Sequence, residues 1–134
     1  MLAAQSLKSQ PVPDSAPTPA VGPGPAIDLV HLARQTDGDS DLESELLAMF
    51  DSQTVKLTAR LRQGEGGAQA LADIAHRLRG SALAIGAHRV ATAAEAVEKH
   101  FELIAASAKS GEAPLGPLNR AVEEARAEIA RLRA

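Results

Sequence analysis

From Leu42 onward the apolar residues fall at helical intervals, broken by short joints rich in glycine and proline. Leu42, Leu46, Met49, Phe50, Leu57 and Leu61 share one face and predict a long helix. The run Gly64-Glu65-Gly66-Gly67 stops it, because glycine accepts the left-handed conformation that follows a helix C-terminus. Leu71, Ile74, Leu78, Ala82 and Ile85 advance in steps of three and four and predict a second helix over about residues 68–85. Gly86-Ala87-His88 bends the chain into a third helix, with the stripe Val90, Ala94, Val97, Phe101, Ile104 and Ala108. Ser110-Gly111-Glu112-Ala113-Pro114 forms the last joint. A fourth helix then carries Leu118, Val122, Ala125, Ile129 and Leu132, with Pro117 in its first turn, where a missing amide costs nothing.

Ahead of these stripes, Ile27, Val30 and Leu32 suit a short helix with Asp28 near its N-terminus. Asp37-Gly38-Asp39-Ser40-Asp41 supplies turn and N-cap residues before the first long helix. The predicted fold is all-α: an antiparallel up-down-up-down four-helix bundle with a short N-terminal capping helix, spanning residues 27–134. Residues 1–26 read differently. Six of the eight prolines lie between Pro11 and Pro25, so this stretch has few amide donors and little to bury, and predicts a disordered leader.

Composition narrows the function. The 134 residues hold 14 Lys+Arg against 17 Asp+Glu, a net charge of −3, with two Phe and neither Tyr nor Trp. That balance excludes a nucleic-acid binder, which needs a basic face and aromatic stacking platforms. Without cysteine there is no disulfide framework, thiolate zinc site or thiol nucleophile. No apolar run approaches the roughly 20 residues of a membrane span, and the start lacks the apolar core of a secretory signal, so a cytoplasmic location is expected. Phosphate-binding glycine loops, His-Glu-x-x-His and Gly-x-Ser-x-Gly are all missing. The histidines at 31, 76, 88 and 100 never pair at helical metal-site spacing, and no metal or other cofactor is expected on the chain.

His76 stands out by direction. At about 100° per residue it lies about 200° from Leu78, on the face opposite the core stripe. The same outward face is expected to hold Ala72, Gly80, Leu83, Ala84 and Ala87. Gly80 is one turn from His76, and a glycine there costs about 1 kcal/mol of helix propensity relative to alanine. Opening space around the imidazole is the reason this position suggests. Arg79, three residues on, can meet an anion placed at His76, with Arg77 and Arg89 adding positive potential. An uncrowded neutral imidazole flanked by a cation is suited to accept a phosphoryl group in line.

The segment Ala75-His76-Arg77-Leu78-Arg79-Gly80-Ser81-Ala82, followed by Gly86-Ala87, resembles the signature of histidine-containing phosphotransfer (HPt) domains. The stretch Leu42–Phe50 and the Gln63-Gly64 turn also look like that family. The resemblance implies a bacterial two-component phosphorelay protein, in which His76 carries a phosphoryl group to and from receiver-domain aspartates. It implies a stoichiometric carrier without kinase activity, partnered by response-regulator receivers and by a hybrid or sensor histidine kinase. Magnesium is then supplied by the receiver. Arg79 is expected to stabilise the phosphate, Gly80 to give access, and Ala72, Arg77, Leu83, Ala84 and Ala87 to dock the receiver. In the family the third residue after the histidine is commonly Lys; Arg79 keeps the charge and changes its geometry.

Two other classes fit parts of this pattern. A sensor-kinase dimerisation domain also presents a helical histidine, but resembles a His-Glu motif with a nearby proline, whereas Arg77 follows His76 here. In a phosphorylation-independent helical adaptor, His76 would be incidental. The absence of a second apolar face on the predicted bundle points to a monomer.

Overall fold

The computed structural model describes residues 24–107 and 111–134, and among them there are five helices and no strand. They are α1 (Leu29–Thr36), α2 (Ser40–Gln63), α3 (Gly67–Ile85), α4 (His88–Ser107) and α5 (Leu115–Leu132). The predicted leader lies outside the described residues as far as residue 23, as does Ala108.

Local chemistry sets the helix ends. Asp28 caps α1 by accepting the His31 backbone N–H at 3.1 Å, and Asp39 caps α2 by accepting that of Leu42 at 3.1 Å. Helix α2 stops at Gly64, whose φ of 69° lets its N–H reach the Arg60 carbonyl at 3.0 Å. At the end of α3, Gly86 takes φ 83°, and the Ala87 N–H returns to the Ala82 carbonyl at 2.8 Å. That pair of features closes the helix and turns the chain straight into α4.

Helices α2, α3, α4 and α5 each pack on two of the other three around one core, with α3 and α4 the most extensively joined pair. Leu47, Phe50, Leu57, Leu61, Leu71, Ile74, Leu78, Ile85, Val90, Val97, Leu118, Val122 and Ile129 are all buried there. Ile27 and Leu32 extend this core from α1, which packs on α2 and α3. A helical bundle with a short helix ahead of it is thus present.

The buried face of α2 is rotated from the predicted one. Leu42 and Met49 are exposed, Met49 at 67%, and Leu47, Thr54 and Thr58 are buried instead. Buried hydroxyls are tolerated because each donates to its own helix: Thr54 to the Asp51 carbonyl at 2.8 Å, Thr58 to that of Thr54 at 2.6 Å. Val30, expected with Ile27 and Leu32 on one face, is 62% exposed.

Candidate functional site

His76 lies midway along α3, and its side chain is 60% exposed. A Cβ placed on Gly80 meets nothing within 4 Å, so the space one turn beyond the imidazole is open. Both features follow from the outward direction read from the helical period.

Across from the ring stands a residue that the sequence pattern did not single out. Glu98 of α4 brings Oε2 to 2.9 Å from His76 Nδ1, and its side chain is only 11% exposed. Arg79 pairs with the other oxygen, Nε to Oε1 at 3.5 Å. Its Nη1 lies 3.7 Å from Glu95 Oε2, and Glu95 in turn lies 3.5 Å from Lys99 Nζ. A nearly buried carboxylate needs a cation and a hydrogen-bond donor, and Arg79 and His76 supply them.

The contacts favour one imidazole tautomer. Arg79 Nη2 also approaches Nδ1, at 3.2 Å, so a donor-only and an acceptor-only group converge on one nitrogen. With Nδ1 unprotonated, its lone pair would face the Glu98 carboxylate at 2.9 Å. With Nδ1 protonated, it donates to Glu98 in a charge-assisted bond, and Arg79 contributes proximity of charge alone. The second arrangement is the favourable one. It leaves the free lone pair on Nε2.

Other expected residues separate into two groups. Arg77, Leu83 and Ala84 are exposed on α3 with His76 and Gly80. Ala72 and Ala87 are not: they are 2% and 0% exposed, which corrects their place on the outward face. Ala72 lies on the flank that Arg79 shares, and that flank turns toward Glu95 and Glu98 of α4. Ala87 lies beyond Gly86, where the left-handed turn ends the α3 register and tucks the residue into the core. Arg89 is also directed elsewhere, to the Glu124 carboxylate at 2.7 Å and the Gly24 carbonyl. His88 begins α4 and meets Asp28 Oδ2 at 3.3 Å. Beside the α3 face, an open groove between α2 and α3 is lined by Met49, Gln53, Lys56 and Ser81.

A helical bundle with an exposed histidine, held by a carboxylate and beside a cation, suits a phosphoryl acceptor. The family model of the Hpt domain matches residues 44–134. The chain belongs to the Hpt domain family. Hpt domains are phosphocarriers that perform histidine phosphotransfer in two-component phosphorelays, working with receiver domains and histidine kinases. The match includes α3 and α4 whole, and with them His76, Arg79, Gly80 and Glu98. No curated protein and no solved structure matches the chain. No helix among the described residues is long and apolar enough to cross a membrane.

Proposed function

We propose that this Hpt domain carries a phosphoryl group on Nε2 of His76 and exchanges it with the aspartate of a response-regulator receiver. The observation that carries the reading is the Glu98–His76 contact at 2.9 Å beside the open space at Gly80. One holds the ring in its reactive tautomer, and the other leaves room for in-line approach.

In the forward step the Nε2 lone pair forms a bond to phosphorus. The bond from phosphorus to the aspartyl oxygen breaks, and its electron pair leaves on the receiver carboxylate. The Nδ1 proton stays where it is, so the ring becomes an imidazolium whose charge Glu98 offsets. No general base is needed on this chain. The receiver brings the magnesium ion its own aspartate requires, and the chain contributes a positioned nucleophile and the Arg79 cation. Such a domain acts stoichiometrically and relies on a hybrid or sensor histidine kinase upstream.

The receiver docks over the α3 face around His76, on Arg77, Leu83 and Ala84, with the groove at Met49 and Ser81 at its edge. Exposed apolar Met49 and Leu83 beside small Gly80 and Ala84 support this placement. An antiparallel up-down-up-down course is supported by the short α2–α3 and α3–α4 joints between helices that pack on each other. The carrier form of this reading is a bacterial, cytoplasmic monomer.

The experiment is phosphoryl labelling of the full chain from a phosphorylated receiver domain. Acid-labile phosphate is expected on His76, and His76→Gln is expected to abolish it while the circular-dichroism spectrum stays helical. Label retained in that variant would move the acceptor to another residue.

A further inference from the structure

We infer that Glu95 tunes the transfer potential of the phosphorylated site by holding Arg79 back from the phosphoryl group. This rests on the carrier reading above, and it makes Glu95 a positioning residue that acts through Arg79.

Each of the three guanidinium nitrogens of Arg79 already faces a group of α3 or α4. Nη2 is near Nδ1 itself, Nε near Glu98 and Nη1 near Glu95, and the side chain is only 30% exposed. The incoming phosphoryl group sits on the opposite nitrogen, Nε2. Arg79 therefore has to swing partly off α4 before it can pair with the phosphoryl oxygens.

The two carboxylates differ in what they can release. Glu98 is nearly buried, and it stays bonded to the Nδ1 proton throughout the step. Glu95 is 43% exposed and its contact with Arg79 is long, at 3.7 Å, so this is the link that exchanges. A half-exposed pair of that length is weak, while a phosphoryl group carries close to two negative charges and accepts a guanidinium fork. The swap is thus favourable but incomplete. Glu95 competes for the cation, and the phosphohistidine remains a readier donor than it would be with Arg79 free.

Phosphoramidate serves as probe, because it reaches the acceptor without a docking surface. Its P–N bond breaks and ammonia leaves as the Nε2–P bond forms, and excess ammonium reverses the step. The equilibrium constant is read by phosphorus NMR on the full chain at a fixed phosphoramidate-to-ammonium ratio, approached from both sides. Glu95→Gln is expected to raise it by about two- to fivefold, the range of an exposed ion pair. Glu95→Asp, which keeps the charge, should stay near the parent value, and Arg79→Gln should lower it. In the Arg79→Gln background, Glu95→Gln should have no further effect. An unchanged constant in Glu95→Gln alone would overturn the inference and leave the carrier reading intact. So would an equal rise in both backgrounds, since it would mean direct repulsion rather than action through Arg79. A parent chain that takes no label from phosphoramidate or from a receiver would overturn both.

Discussion

Glu98 of α4 and His76 of α3, 22 residues apart in the chain, meet at 2.9 Å through Oε2 and Nδ1. The contact ties the imidazole to the most extensive helix pair of the fold, so the packing of α3 on α4 also sets the position of the ring.

Removing that carboxylate should cost rate more than structure. Glu98→Ala takes away a charge-assisted hydrogen bond, of about 1.5–3 kcal/mol, that selects the tautomer and fixes the ring. Labelling of His76 should slow by roughly 10- to 100-fold on that basis. Glu98→Gln should fall between, since an amide oxygen still accepts from Nδ1–H but without the charge. Initial labelling rates, with nitrogen NMR of the imidazole to report the tautomer, check both statements. A Glu98→Ala chain labelled at the parent rate with its Nδ1 proton in place would remove the assignment.

The way Glu98 escaped the sequence pattern is instructive. Charged residues along a helix read as a solvated face, and nothing local marks a carboxylate as the partner of a histidine on another helix. One signal was available: Glu98 lies four residues after Ala94 and seven after Ala91, both buried, and so falls within the apolar sector of α4. By contrast, the regular stripes of α3 and α5 were legible because their period and burial coincide; Leu132 alone frays into solvent. The face of α2 was legible only in part, since threonines that satisfy themselves on their own helix can replace leucines in a core. Ala87 was lost to a rule of a different kind. A helical period cannot be extended through a residue at φ 83°.

Gly86 should be the least replaceable residue near the site. Its left-handed φ strains any side chain, and an added Cβ would stand 2.8 Å from the Asp28 carbonyl oxygen. That oxygen is backbone, held by the Asp28 N–H to Gly86 carbonyl bond at 2.9 Å, and has little room to give. Gly86→Ala should lose at least about 1–2 kcal/mol of stability, the conformational part alone. Urea unfolding measures it, and a variant as stable as the parent would show that the α1–α3 contact yields freely.

Asp28 makes the same corner sensitive to acid. Its carboxyl is held below its ordinary value of 3.8, first by the His31 backbone N–H it accepts and then by His88 and the nearby charges. A carboxyl whose folded pKa is depressed adds stability that is fully present above the unfolded value. That contribution is lost as the pH falls from 3.8 through the folded value. Melting temperature should therefore drop across this acid window in the parent, and less steeply in Asp28→Asn, which keeps a cap but cannot titrate. Identical acid profiles for the two chains would show that the cap carries no linked proton.

Gly80 should respond in the opposite sense to Gly86. It has an ordinary helical backbone and open space where a Cβ would go, so alanine there fits without displacement. Gly80→Ala should gain stability, up to about 1 kcal/mol from helix propensity. A longer side chain in Gly80→Gln should also be carried by the fold, because the position faces water. Yet the same side chain would stand one turn from His76, in the space an incoming phosphorus must cross to reach Nε2. Small displacements of reacting groups can cost about a hundredfold in rate, so transfer should slow with each enlargement. The expected signature is a divergence: stability level or raised, phosphotransfer from the receiver reduced, and more so for Gln than for Ala. Stopped-flow transfer rates beside thermal melts on the same preparations read both quantities. A Gly80→Gln chain that melts no lower and transfers at the parent rate would show that the glycine is not there for access, and the docking face would then have to lie to one side of it.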